Sequence, residues 1–197
     1  MVDYDRSTAL VVVDVQNDFA DPKGSLYVGE GEHVVPPVNR EIEQALAAGA
    51  LVAYTQDWHP AETPHFQSGG GVWPQHCVQG SWGAQLHPDL RVAGEVVRKG
   101  QGGEDGYSGF TVRDPVTGEQ AATPLEGLLR RRGIRRLVVV GLATDYCVKE
   151  TALDAVRLGF DTVVLGGLVR AVDLQPGDGG RALAVMRAAG ARIEQPA

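Results

Sequence analysis

Short runs of β-branched residues alternate along this chain with stretches of helical periodicity, and that alternation limits the fold more than any other feature. The runs are 8–14 "TALVVVD", 50–56 "ALVAYTQ", 94–98 "GEVVR", 136–141 "RLVVVG" and 161–165 "DTVVL", with a weaker one at 191–194 "ARIE". Residues 35–48, 123–132, 145–158 and 178–189 read as helices. Each is followed by a glycine (Gly49, Gly133, Gly159 and Gly190), the residue that ends helices because it enters the left-handed region without a Cβ penalty. Strands this uniformly apolar are buried on both faces, which requires a parallel sheet covered by helices. The expected fold is therefore α/β: a doubly wound, Rossmann-like parallel sheet of about six strands with helices on both faces. At 197 residues the chain has the length of one such domain, 1–197.

A net charge of −7 argues against nucleic acid or an anionic membrane as a partner. The opening "MVDYDRSTALVVVDV" has no signal-peptide pattern, since its apolar run is short and leads into acidic residues. No apolar run approaches a bilayer span. Two cysteines, Cys77 and Cys147, do not make a secreted disulfide framework, so reduced thiols and a cytoplasmic location are expected. The segment 58–90 is rich in Pro, Gly, Trp and His, lacks periodicity and holds all three tryptophans. Disordered segments are poor in aromatics, so a functional loop is the better reading.

In doubly wound folds ligands bind beyond the carboxyl ends of the strands. Asp14 ends the first strand, the second runs into Asp57 and His59, the third into Lys99, and the fourth is followed by Cys147 in "GLATDYCVKETALDA" (141–155). Residues far apart in the chain thus meet on one rim. Taken alone, Cys147 reads as a small buried hydrophobe. Beside Asp14 and Lys99 it reads as a nucleophile. The thiolate is the reactive form, a cation and a helix N-terminus favour it, and a carboxylate takes its proton.

A second group lies in "QDWHPAETPHF" (56–66) and "WPQHC" (73–77), which supply Asp57, His59, His65 and His76. On an extended segment alternate residues point the same way, so D-x-H presents two ligands together. Mixed nitrogen and oxygen ligation suits zinc, and also iron or manganese. His33 and His87 read as ordinary loop residues. "KGQGGEDGYSG" (99–109) is glycine-rich but lacks the G-K-[ST] of a phosphate loop, and its acidic pair repels phosphate. It reads as a flexible rim after the third strand.

The segments "VVVDVQNDF" (11–19), "VVRKG" (96–100) and "GLATDYCV" (141–148), in that order and at that spacing, resemble the three motifs of the isochorismatase-like cysteine hydrolases. The resemblance spans nearly the whole chain. It implies a catalytic triad of Asp14, Lys99 and Cys147, a cis peptide between Leu142 and Ala143, and an oxyanion hole formed by the backbone N–H groups of Ala143 and Cys147. Within that family, D-x-H followed by W-P-x-H is similar to the nicotinamidases. That likeness implies Asp57, His59 and His76 as metal ligands, with His65 where some members have a fourth. It implies zinc first, with iron or manganese also fitting, and a substrate pocket lined by Phe19, Trp73, Tyr107, Leu142 and Tyr146. The activity implied is hydrolysis of nicotinamide to nicotinate and ammonia, and of pyrazinamide, through an acyl-enzyme on Cys147. The small-molecule substrate is then the chief partner, and a homo-oligomer stays open. Three alternatives stand beside this: a related amidase acting on another small amide, hydrolysis by metal-bound water with Cys147 as bystander, and a non-catalytic flavodoxin-like binding module with a structural metal.

Overall fold

The computed structural model describes residues 2–195. In chain order it contains β1 (Thr8–Val13), a short α1 (Asn17–Ala20), α2 (Val35–Ala47), β2 (Leu51–Asp57), β3 (Glu95–Lys99), β4 (Thr111–Arg113), β5 (Gln120–Ala122), α3 (Leu125–Arg131) and β6 (Arg136–Leu142). A single π turn (Thr144–Val148) then leads into α4 (Lys149–Arg157), followed by β7 (Asp161–Arg170), α5 (Asp178–Ala189) and β8 (Arg192–Glu194). The expected sheet is present: six strands in the order β3-β2-β1-β6-β7-β8, every neighbouring pair parallel.

Successive side chains of β1 serve opposite layers. Leu10 and Val12 belong to the core layer that includes Val35, Val38 and Ile42 of α2. Val11 and Val13 belong to the layer that includes Leu125 and Leu129 of α3, Ala152 of α4 and Met186 of α5. Burying a Val or Leu side chain is worth about 1.5–3 kcal/mol. Because β1 is buried along its whole length, it fixes the middle of the molecule.

From β1 the chain winds outward to β2 and β3, then crosses to β6 on the other side of β1. The strand order reverses there, so the carboxyl ends of β1 and β6 open a crevice. Register decides what faces it. Val13 pairs with Gly141, and Asp57 pairs with Lys99, the last residue of β3. Gly141 has φ +110°, and a Cβ on it would sit 2.2 Å from the Val13 carbonyl oxygen, so no side chain fits where the two strands part.

The structure departs from the sequence reading in three places. β7 runs on past the expected end at residue 165 to Arg170, through Gly166 and Gly167; a register shift opposite Val139–Gly141 accommodates the longer strand. The hairpin β4–β5 was not foreseen, because its short polar strands show no alternation. The helix expected from residue 145 begins instead as a π turn, the wider winding often found at functional sites. Among the described residues no helix is long and apolar enough to cross a membrane, and both cysteines are free.

Candidate active site

Asp14 lies just past β1 with φ +47°, a left-handed conformation that Asp tolerates better than most residues and that is common at functional sites. Its Oδ1 accepts a hydrogen bond from the Thr55 hydroxyl at 2.6 Å. Its Oδ2 lies 2.7 Å from Lys99 Nζ but is not aligned with any hydrogen-bond donor. Lys99 is 1% exposed. A bare ammonium there costs several kcal/mol, so it must be paired. Besides Asp14, the structure gives it three further partners. Nζ lies 2.5 Å from Asp57 Oδ1, donates to the Gly106 carbonyl, and reaches Cys147 Sγ at 3.6 Å.

Burial works against the Lys99 charge, yet Asp14 and Asp57 outweigh it and hold the ammonium charged well above the ordinary lysine range. The two carboxylates respond in opposite directions. For Asp57 burial pushes up, but Lys99 and then His59 overcome it and keep the group ionised far below the usual range. For Asp14 burial, only partly offset by Lys99, raises the carboxyl. When two neighbouring carboxylates are driven apart in this way, the raised one is the candidate acid and base.

Cys147 sits in the π turn, buried but lining a cavity. Burial pushes its thiol well above the ordinary range and Lys99 pulls it back. An oxygen of Asp14, an oxygen of Asp57 and Sγ all lie within 4.8 Å of one another. The peptide between Leu142 and Ala143 is cis, and Ala143 lines the cavity beside Cys147.

Ring nitrogens of His59, His65 and His76 also lie within 4.8 Å of one another, all three residues buried. Asp57 Oδ2 faces this group, 3.5 Å from His59 Nε2 and 3.8 Å from His76 Nε2. His76 Nδ1 is bound to the Pro74 carbonyl at 2.8 Å, leaving Nε2 free. Burial lowers His76 to about 4, against the pull of Asp57, so the ring is neutral, the form that ligates a metal. Neither nitrogen of His59 has a hydrogen-bond partner, although the side chain is fully buried. Buried imidazole nitrogens are rarely left so. The orphaned ring, the converging nitrogens and the carboxylate oxygen fit a divalent metal ion. The sequence had read this group as separate from the thiol's partners; Lys99, touching Asp57 as well as Asp14, joins the two.

Of the residues named for the pocket, Phe19, Trp73, Tyr107 and Tyr146 line the cavity together with Asp57, His65 and His76. Trp73 Nε1 donates to the Tyr107 hydroxyl at 2.8 Å, and the rings of Trp73 and Tyr146 meet edge to face at 4.8 Å. Leu142 is not among the lining residues. Its side chain is fully buried in the layer with Leu10 and Val12, because the strand pleat turns it away. Leu26, Gly106 and Val172 also line the cavity and were not foreseen. Val172 is held there by its N–H bond to Asp145 at 2.9 Å. Gln16, in the first motif, also has a placing role that was missed. Its amide exchanges two hydrogen bonds of 2.8 Å with the backbone of Asp57.

The sequence profile described as the isochorismatase domain matches residues 8–194. The nicotinamidase of Escherichia coli (strain K12) is 42% identical, over 94% of this chain and 93% of that protein. The crystal structure of the pyrazinamidase of Pyrococcus horikoshii in complex with zinc superposes with a TM-score of 0.86 at 39% identity, covering 96% of this chain and 99% of that one. PnC1 from L. infantum in complex with nicotinate gives a TM-score of 0.88 at 37% identity, covering 98% and 96%.

Proposed function

Because the chain belongs to the isochorismatase family, we propose that it is a cysteine amidohydrolase that converts nicotinamide to nicotinate and ammonia and cleaves pyrazinamide in the same way. The observation that carries this reading is the convergence of Cys147 Sγ with Asp14 and Asp57 within 4.8 Å, beside a cavity that two imidazoles and four aromatic rings also line. Flat apolar walls suit a flat heteroaromatic ring.

Asp57, His59, His76 and His65 would hold a divalent ion, zinc above all, which when bound supplies a Lewis acid that orients and polarises the ring. Asp14, Lys99 and Cys147 carry the covalent chemistry. The thiol proton passes to Asp14 Oδ2, the oxygen without an aligned donor, and the thiolate forms beside the Lys99 ammonium. Sulfur bonds to the carboxamide carbon, and the carbonyl electron pair moves onto oxygen, where the N–H groups of Ala143 and Cys147 receive it. As that pair returns, the C–N bond breaks. Asp14 gives its proton to the leaving nitrogen and ammonia departs. Water then adds to the thioester and passes a proton to Asp14. The C–S bond breaks, nicotinate leaves, and Asp14 returns the proton to sulfur.

The test is ammonia release by purified, zinc-loaded protein from nicotinamide, pyrazinamide and N-carbamoylsarcosine. Turnover of the two ring amides and not of the third is the expected result. Background rates with both ring amides would sink the reading.

A further inference from the structure

We propose that Asp105 is the positioning residue that makes His65 a metal ligand, a role that rests on the metal reading above. Asp105 lies in the glycine-rich segment after β3, far from His65 in the chain, yet its Oδ1 is 2.6 Å from His65 Nδ1. His65 is 4% exposed and Asp105 19% by side chain, so the contact is largely shielded from water. An ionised carboxylate only accepts, so a neutral His65 carries its proton on Nδ1 and keeps its lone pair on Nε2. A carboxylate behind a ligating imidazole fixes both tautomer and ring angle in this way.

The three imidazoles differ in this respect. His76 is oriented by a carbonyl of its own loop, and the His59 ring has no hydrogen-bond partner. His65, stacked on His59 at 4.5 Å, is the one whose orientation comes from a different segment of the fold. That segment is well placed to impose it. The backbone of Asp105 exchanges hydrogen bonds of 2.7 and 3.0 Å with Arg113, Gly106 accepts from Lys99, and the Tyr107 hydroxyl accepts from Trp73. With the segment held at these points, two of them through its backbone, removing the Asp105 side chain is a local change.

Zinc affinity, read by competition with a chromophoric chelator, tests this in the whole protein. Asp105→Ala weakens zinc by about ten- to a hundredfold, the usual effect of losing such a partner. Asp105→Asn, which keeps an acceptor oxygen in place, recovers part of that loss. In a His65→Ala background Asp105→Ala weakens zinc no further, because the residue acts through the imidazole. The visible spectrum of the cobalt-substituted protein changes in the same way for Asp105→Ala and His65→Ala. Unchanged affinity in Asp105→Ala, or a loss that adds in full to that of His65→Ala, would overturn the proposal. Wild-type protein that binds no zinc would overturn the metal reading itself.

Discussion

Lys99 Nζ lies 2.5 Å from Asp57 Oδ1, so the ammonium that serves the thiol also pairs with the carboxylate that faces the imidazoles. The proposed nucleophile and the proposed metal group therefore form one electrostatic unit. The two oxygens of Asp57 divide its duties, Oδ1 toward Lys99 and Oδ2 toward His59 and His76.

Replacing Lys99 tests this sharing. Lys99→Met leaves two buried carboxylates without their cation and costs about 3–5 kcal/mol, the range found when one partner of a buried pair is removed. It also removes the charge that pulls the Cys147 thiol down. The pH profile of Cys147 alkylation by iodoacetamide should move to higher pH, and turnover should be lost. Thermal unfolding and alkylation rates on the same sample check both, and an unmoved alkylation profile would contradict the role given to Lys99.

Stripping the metal should do more than weaken substrate binding. With the ion gone, the Asp57 charge is shared between Lys99 and the imidazoles alone, and a negative charge near the thiol disfavours its thiolate. Chelated protein should lose nicotinamide turnover and alkylate Cys147 more slowly at neutral pH, with both restored by added zinc. Alkylation indifferent to chelation would mean the two groups work independently.

Asp14→Asn keeps the shape of the site but can neither take nor return a proton. The expected fall in kcat is about 10²–10⁴-fold, the usual worth of a positioned acid–base group. Zinc content should be unchanged, since Asp14 faces Lys99 and Thr55 and not the imidazoles. Activity near the wild-type level would remove Asp14 from the mechanism.

Gly106→Ala probes the packing beside the Lys99–Asp57 pair. A Cβ there would lie 2.9 Å from Asp57 Oδ1 and 3.3 Å from Lys99 Cγ, so the ion pair must shift. Overpacking of this kind costs about 1–3 kcal/mol, and a chain of this size loses roughly 2–4 °C in Tm per kcal/mol. A variant with unaltered Tm and turnover would show that the Lys99–Asp57 contact has slack.

Much of this was legible in the sequence. A parallel sheet puts the carboxyl ends of its strands on one rim, so strand-end residues as distant as Asp14, Lys99 and Cys147 could be placed together from the apolar runs alone. The D-x-H and W-P-x-H motifs marked Asp57, His59 and His76 through their likeness to the nicotinamidases. What stayed hidden depended on register and on coil. That Lys99 would touch Asp57 follows from their pairing across β2 and β3, which no single strand reveals. Asp105 and Gly106 lie in a segment without periodicity that read as a flexible rim, although it is tied through the backbone of Asp105 and Gly106 and through the Tyr107 hydroxyl. Val172 was not legible because the apolar run at 161–165 stops short of Arg170, where β7 ends and Val172 follows.

The most direct test of the chemistry is rapid-quench mass spectrometry of the zinc-loaded protein turning over nicotinamide, set beside ammonia release by Cys147→Ala. A nicotinoyl thioester should accumulate on the peptide carrying Cys147 and decay as nicotinate forms, while metal-loaded Cys147→Ala releases no ammonia above background. No adduct on Cys147, with ammonia still released by Cys147→Ala, would contradict the nucleophilic role and assign the hydrolysis to a water molecule at the metal.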